Sequence, residues 1–272
     1  MIQQKMISMT NLDKQTETEV DSQHLAMFLA DYASLLLGCG ATCIRIEKNT
    51  QRIAAACNHR LELVIMPTYV SVSVYQQILA SGCSEVRKIA PCGTNFNLNA
   101  KLSRLSWMIA DGEVTFSEAL KLFGEIKGTQ STEKKEVLVL TSFANASFCR
   151  LFGGDITAML IVFISTFAGY LLKQLMIDKK RDIRLTFFCS SFFSASLSAA
   201  GAIFNLGSTP EIAIATSVLY LIPGVPYINA VSDIIYKHYL CAFSRFMDAV
   251  ILTACLSAGL CAGMLLLDIN WY

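Results

Sequence analysis

The chain has 272 residues, of which 22 are Lys or Arg and 21 are Asp or Glu, giving a formal net charge of +1. That balance leaves no electrostatic footprint for a polyanion, so nucleic acid is excluded as an expected partner. Apolar residues make up 54% and charged residues only 16%, below the roughly 25% charged share of an ordinary water-soluble domain, and a purely soluble globule is excluded as well.

The charge is unevenly divided: residues 1–136 carry 28 of the 43 charged side chains, and residues 137–272 carry 15. The first half has the composition of a small soluble domain, the second that of segments solvated by lipid. Met1 to Val20 is polar and lacks an apolar core, so no signal peptide is expected and residues 1–20 read as a disordered tail. The ten cysteines are scattered without a CxxC pair. With only His24, His59 and His238 as imidazoles, no metal site is expected, and the cysteines are read as reduced and packed as small apolar residues. Neither GxGxxG nor GxxxxGK[ST] occurs, so no cofactor is expected.

In chain order, residues 21–130 read as an α+β domain. Leu25, Phe28, Leu29, Tyr32, Leu35 and Leu36 repeat with helical spacing, and Gly38 and Gly40 close that run. Ile46, Thr50, Ile53 and Cys57 predict a second helix. LELVIMP follows, and then YVSVSVY, where Val70, Val72 and Val74 alternate with Tyr69, Ser71, Ser73 and Tyr75 as in a half-buried strand. EVRKIAP suggests a further strand, and Leu98, Leu102, Leu105 and Ile109 a third helix. Thr115 and Glu118 form a T-x-x-E capping box ahead of Phe116, Ala119, Leu120, Phe123 and Ile126.

Residues 134–268 read as a transmembrane domain, because a bilayer core about 30 Å thick needs roughly 20 apolar residues per helix. Five spans are expected, at about 137–151, 156–177, 185–206, 212–235 and 239–267. The first is short and carries Asn145. Lys134 and Lys135, then Lys173, Lys179, Lys180, Arg181 and Arg184, then Lys237 and Arg245 fall on one face of a five-span arrangement, and Arg150 alone falls on the other. The positive-inside rule then predicts a cytoplasmic N-terminus and an external C-terminus. The fold class is therefore an α-helical integral membrane protein with a small N-terminal cytoplasmic α+β domain.

Polar positions inside the spans are the candidate functional residues. Leu-Ile-Pro-Gly-Val-Pro, Leu221 to Pro226, places two prolines around a glycine and should break the fourth helix near the bilayer midplane. Such a break survives only when covered by protein or lining a wet cavity. Pro226 suits the first turn of the second half-helix, on which Asn229 and Asp233 share one face. They either hold a solute or proton, or serve as interhelical hydrogen-bond partners. Gly153 and Gly154 permit a tight turn before Asp155, which either caps the following helix or pairs with Arg150 across a pathway. Ser190, Ser191, Ser194, Ser196 and Ser198, with Ala195, Ala199, Ala200 and Gly201, pave the third span and read as close-packing residues. An aspartyl-protease reading, and with it an enzyme, is disfavoured because Asp155 and Asp233 fall toward opposite ends of their spans.

The stretches LLLGCGATCIRIEKNTQRIA, VIMPTYVSVSV, SFCRLFGGD and YLIPGVPYINAVSDII make the sequence resemble the threonine/serine exporter family, specifically its shorter bacterial members. The resemblance extends over most of residues 25–267. It implies an inner-membrane exporter of small polar metabolites such as threonine and serine, driven by the proton motive force. Related short chains imply a two-component exporter of a dicarboxylate such as succinate, working with a smaller hydrophobic subunit. The family's motif positions fall on Gly153, Gly154, Asp155, Pro223, Gly224, Pro226, Asn229 and Asp233, with Asn145 and Arg150 in the same expected substrate and proton pathway. The expected partners are thus a small polar substrate, the lipid bilayer, a second small membrane subunit and a homo-oligomer. A non-transporting membrane-anchored sensor is the reading from a different class.

Overall fold

The apolar stripe that begins at Leu25 forms helix α1, Ser22–Gly38, in a computed structural model that describes residues 20–76, 82–90, 92–129, 133–204 and 206–267. The tail expected over residues 1–20, all but Val20, and the last five residues lie outside that description. Gly40 turns the chain with a φ of +83°, a left-handed conformation that a side chain would oppose. Helix α2 then runs over Cys43–Ala56.

Three strands follow, β1 His59–Ile65, β2 Tyr69–Gln76 and β3 Gly82–Lys88, forming an antiparallel sheet in that order. The alternation in β2 buries Val70, Val72 and Val74 completely, opposite Ile65, Leu63 and Leu61 of β1. Each buried valine contributes about 1.5 kcal/mol. They share one core with Leu25, Leu29, Tyr32 and Leu36 of α1, which packs on β2 and β3. The third strand starts before the expected EVRKIAP stretch and stops short of Pro91. Its limits follow pairing with β2, from Gly82 opposite Tyr75 to Lys88 opposite Tyr69.

Helix α3, Phe96–Ala110, starts where the Leu98 amide donates to the side chain of Asn95 at 3.0 Å. The buried Tyr32 hydroxyl donates to the Leu102 carbonyl at 2.7 Å and ties α1 to α3. In helix α4, Phe116–Lys127, the T-x-x-E motif forms the reciprocal cap. The Glu118 amide donates to Thr115 Oγ1 and the Thr115 amide to Glu118 Oε2, satisfying two donors that a helix start otherwise leaves open.

The remaining helices are α5 Lys134–Leu151, α6 Ile156–Asp178, α7 Ile183–Ile203, the short α8 Pro210–Thr216, α9 Gly224–Ile235 and α10 Tyr239–Leu266, with a 3-10 turn at Leu219–Leu221. Among the described residues, α6, α7 and α10 are long and apolar enough to cross a bilayer. A fourth crossing arises if Pro210–Leu221 and Gly224–Ile235, bent by 59°, count as one broken span. By length and composition alone, three to four of the five expected spans qualify among the described residues. The difference is α5, whose 18 residues include Lys134, Lys135, Glu136, Asn145 and Arg150.

Helix α6 inverts the pattern of a helix in water. Leu160, Ile164, Phe167, Leu171 and Leu175 are exposed along one stripe, whereas Ser165, Thr166 and Gly169 are buried along another. A face of large apolar side chains over a polar interior is the arrangement that lipid selects. Helices α7 and α10 cross closely: a Cβ at Gly263 would come within 2.9 Å of both Ala195 Cβ and the Phe192 carbonyl, and one at Gly259 would overlap the Phe188 carbonyl.

By compactness the chain forms two units, Met1–Gln130 with Ile228–Arg245, and Ser131–Tyr227 with Phe246–Tyr272. Residues 228–245, placed by composition in the membrane half, therefore group with the α+β unit.

Candidate functional site

The chain breaks where Leu-Ile-Pro-Gly-Val-Pro predicts. The 3-10 turn ends at Leu221, Ile222 and Pro223 are non-helical, and α9 restarts at Gly224 with Pro226 in its first turn. Fixed proline φ and missing donors account for the interruption. The break also positions Tyr220, whose hydroxyl meets Ser194 Oγ at 2.9 Å and reaches toward the Ser190 carbonyl at 3.5 Å.

Around Tyr220 the membrane unit holds a buried polar lane. Ser194 Oγ donates to the Ser165 carbonyl at 3.1 Å and Ser198 Oγ to Ser165 Oγ at 3.0 Å. Asn145 of α5, 3% exposed, donates through Nδ2 to Thr166 Oγ1 at 2.6 Å and to the Thr216 carbonyl at 3.0 Å. Gly169 lies at its centre: a Cβ there would overlap Ser194 Oγ and the Tyr220 hydroxyl, so only glycine lets α6 approach. Hydroxyls and amides in such a lane can exchange their mutual bonds for bonds to a polar solute at small cost, because the groups are already desolvated.

The turn between α5 and α6 uses both glycines. Gly153 has a φ of +91°, and a Cβ at Gly154 would meet Cys149 Sγ at 2.5 Å. Asp155 caps α6 through the Ala158 amide at 2.7 Å and binds the Ser208 amide at 2.7 Å, with the Ser208 and Thr209 hydroxyls at 3.1 and 3.2 Å. Those hydrogen bonds, the Ser208 amide first, hold its carboxyl below the usual carboxylate range. The alternative pairing with Arg150 does not form: Arg150 donates to the Gly154 carbonyl at 3.1 Å. Amides at a helix start outcompete a flexible guanidinium because they are fixed in place.

Asn229 and Asp233 do share one face, and within the α+β unit that face meets the loop between α1 and α2. Asn229 Nδ2 donates to the Gly40 carbonyl at 2.8 Å, and Asp233 Oδ1 accepts the Cys43 amide at 2.9 Å, at the N-terminus of α2. Asp233 is fully buried and its Oδ2 lies 2.9 Å from Arg245 Nη1, whose side chain is 17% exposed. The two atoms are close but poorly aligned as a hydrogen bond, so the contact is chiefly coulombic. Arg245 also donates through Nη2 to the Ala41 carbonyl at 2.7 Å. Beside them, interaction with Cys241, burial and the negative charge of Asp233 push the Cys43 thiol well above its ordinary range.

Sequence reasoning assigned Arg245 only to the orientation of the chain and the serines of α7 only to packing. The signal for Arg245 was a lone guanidinium within the apolar run from Tyr239 to Leu267, and the signal for Tyr220 was its place one residue before the breaking hexapeptide.

Residues 27–267 match the ThrE family model, described as "Putative threonine/serine exporter". The chain is 25% identical over 236 residues to the "Probable succinate transporter subunit YjjP" of Klebsiella aerogenes, covering 85% of this chain and 90% of that protein. It is 30% identical over 126 residues to the protein of the same description from Escherichia coli K12, covering 45% of this chain and 48% of that one. No solved structure shows significant similarity.

Proposed function

Because the chain belongs to the threonine/serine exporter family, a transporter family, we propose that it is one subunit of an inner-membrane secondary exporter for small polar carboxylates, coupled to protons. The observation that carries the proposal is the membrane unit turned inside out. Asn145, Thr166, Ser165, Ser194, Ser198 and Tyr220 bond to one another in the interior while α6 shows large apolar side chains outside. Buried hydroxyls also serve helix packing, but their gathering around a broken span supports a route for a polar solute. The two relatives named as subunits favour a second membrane protein as partner. Their printed substrate, succinate, shares the carboxylate group with threonine and serine. The distribution of Lys and Arg favours an N-terminal unit on the cytoplasmic side.

In this reading Asn145 contributes to the route, Gly153, Gly154, Asp155 and Arg150 hold its α5–α6 turn, and Pro223, Gly224 and Pro226 hold its break. Asp233, fully buried beside Arg245, is the proton-exchanging group in this reading. Losing the Asp233 charge would then loosen the junction of Asn229, Asp233, Cys43 and Arg245, which links the coupling ion to movement of α9. An Asp233→Asn variant keeps an acceptor for the Cys43 amide and is expected to slow gradient-driven export at least about tenfold, while exchange of labelled for unlabelled solute without a gradient persists. Gradient-driven export at the wild-type rate would remove Asp233 from coupling.

A further inference from the structure

We infer that Lys173 is the point at which the membrane unit grips a carboxylate of its solute, with Tyr220 and Ser190 beside it; this deepens the exporter reading and rests on it. Lys173 lies on the inward side of α6, one turn beyond Gly169. Its amine sits 5.4 Å from the ring centre of Tyr170 and 5.0 Å from that of Phe187 on α7. Lys173 is partly buried; aromatic faces attract its ammonium but carry no full negative charge, and an anion would complete its pairing.

Among the described residues no carboxylate lies within 4.0 Å of it. Of the acids near this end of the bundle, Asp178 pairs with Lys134 and Asp182 accepts from the Arg184 amide.

A second, independent feature lies next to it. Ser190 is fully buried and its hydroxyl has no hydrogen-bond partner, a condition that costs about 1–3 kcal/mol when nothing compensates it. Ser190 is one helical turn from Phe187, and its carbonyl faces the Tyr220 hydroxyl. The Tyr170 and Tyr220 rings lie 5.8 Å apart, and Phe187 and Tyr220 belong to one apolar cluster. An unpaired ammonium, an unsatisfied hydroxyl and a phenol in contact with two serines are thus gathered around the broken span. One carboxylate would supply negative charge for Lys173 and an acceptor oxygen for Ser190, with the Tyr220 hydroxyl beside them as a further donor.

The test uses the purified full chain in detergent, with thermal stabilisation read against succinate, L-threonine, and the carboxylate-free amides succinamide and threoninamide. Wild type is expected to respond to the acids and not to the amides, with the larger response marking whether a dicarboxylate or an amino acid is the natural source. Lys173→Met should raise the apparent Kd for the acids by about tenfold or more. Lys173→Arg should stay within a few-fold of wild type, and Ser190→Ala should weaken binding severalfold without unfolding the chain.

The inference is overturned by a wild-type protein indifferent to the acids, by Lys173→Met binding them as wild type does, or by loss of retained anionic lipid alone, which would make Lys173 a headgroup contact. Flux measurements keep the two readings apart. Lys173-dependent binding without transport sinks the exporter and leaves this site, and transport indifferent to Lys173→Met does the reverse.

Discussion

Replacing Asp233 with alanine is expected to lower the stability of the α+β unit by about 3–5 kcal/mol, the usual cost of leaving one member of a buried ion pair alone. The carboxylate is fully buried, 2.9 Å from Arg245, and accepts the Cys43 amide at the start of α2. Alanine strands a guanidinium that is 17% exposed and frees an amide at a helix end that the carboxylate had satisfied. Arg245→Met should cost a comparable amount, by stranding the carboxylate. The double variant Asp233→Ala with Arg245→Met should recover much of the loss, because neither charge is then left buried alone. Thermal melts of the four proteins form the cycle. Single variants that melt with wild type, or losses that simply add in the double variant, would show that the pair is not the junction described.

The second large effect is expected at Gly169. A Cβ at that position overlaps Ser194 Oγ and the Tyr220 hydroxyl and lies 3.3 Å from the Ser190 carbonyl. Gly169→Ala should therefore cost about 1–3 kcal/mol through forced shifts in a packed interior, and Gly169→Val more. Any transport activity should fall at least about tenfold, since the hydroxyls displaced are those of the polar lane. Ser194→Ala with Tyr220→Phe in the Gly169→Ala background removes both obstructing oxygens. That combination should restore the melting temperature without restoring transport. A Gly169→Val protein with normal stability would mean that α6 and α7 are not in the close contact described.

These two positions also show which parts of the molecule were readable in the sequence. Local chemistry was legible: the helix period from Leu25, the alternation of Val70, Val72 and Val74, the Thr115–Glu118 cap and the break at Pro223 to Pro226 are each set by neighbours a few residues away. Length and composition select three to four spans and leave out α5, whose apolar run from Val137 to Leu151 is short and flanked by Lys134 to Glu136 and Arg150. The Arg150–Asp155 pair did not form, since Ser208 and Thr209 arrive from a loop more than fifty residues later and offer fixed donors.

The face shared by Asn229 and Asp233 followed from helical geometry, but its partners, Gly40 and Cys43, are 189 and 190 residues away in the chain. No periodicity encodes a contact of that range. The serines of α7 looked like packing residues because a small side chain serves both packing and hydrogen bonding. Only the position of Tyr220, set by the break, shows that Ser194 does both.

In the proposed function a small carboxylate leaves the cell through the membrane unit of this protein, coupled to protons and in company with a second subunit. The most direct test is efflux from proteoliposomes loaded with labelled succinate or threonine, prepared with this chain alone, with a small hydrophobic membrane subunit alone, and with both. Efflux of at least one of the two solutes is expected from vesicles holding both proteins, accelerated by an imposed pH gradient and returned to the slower gradient-free rate when that gradient is collapsed. Efflux no faster than from empty vesicles in all three preparations, or equally fast with and without the gradient, would contradict the proposed function.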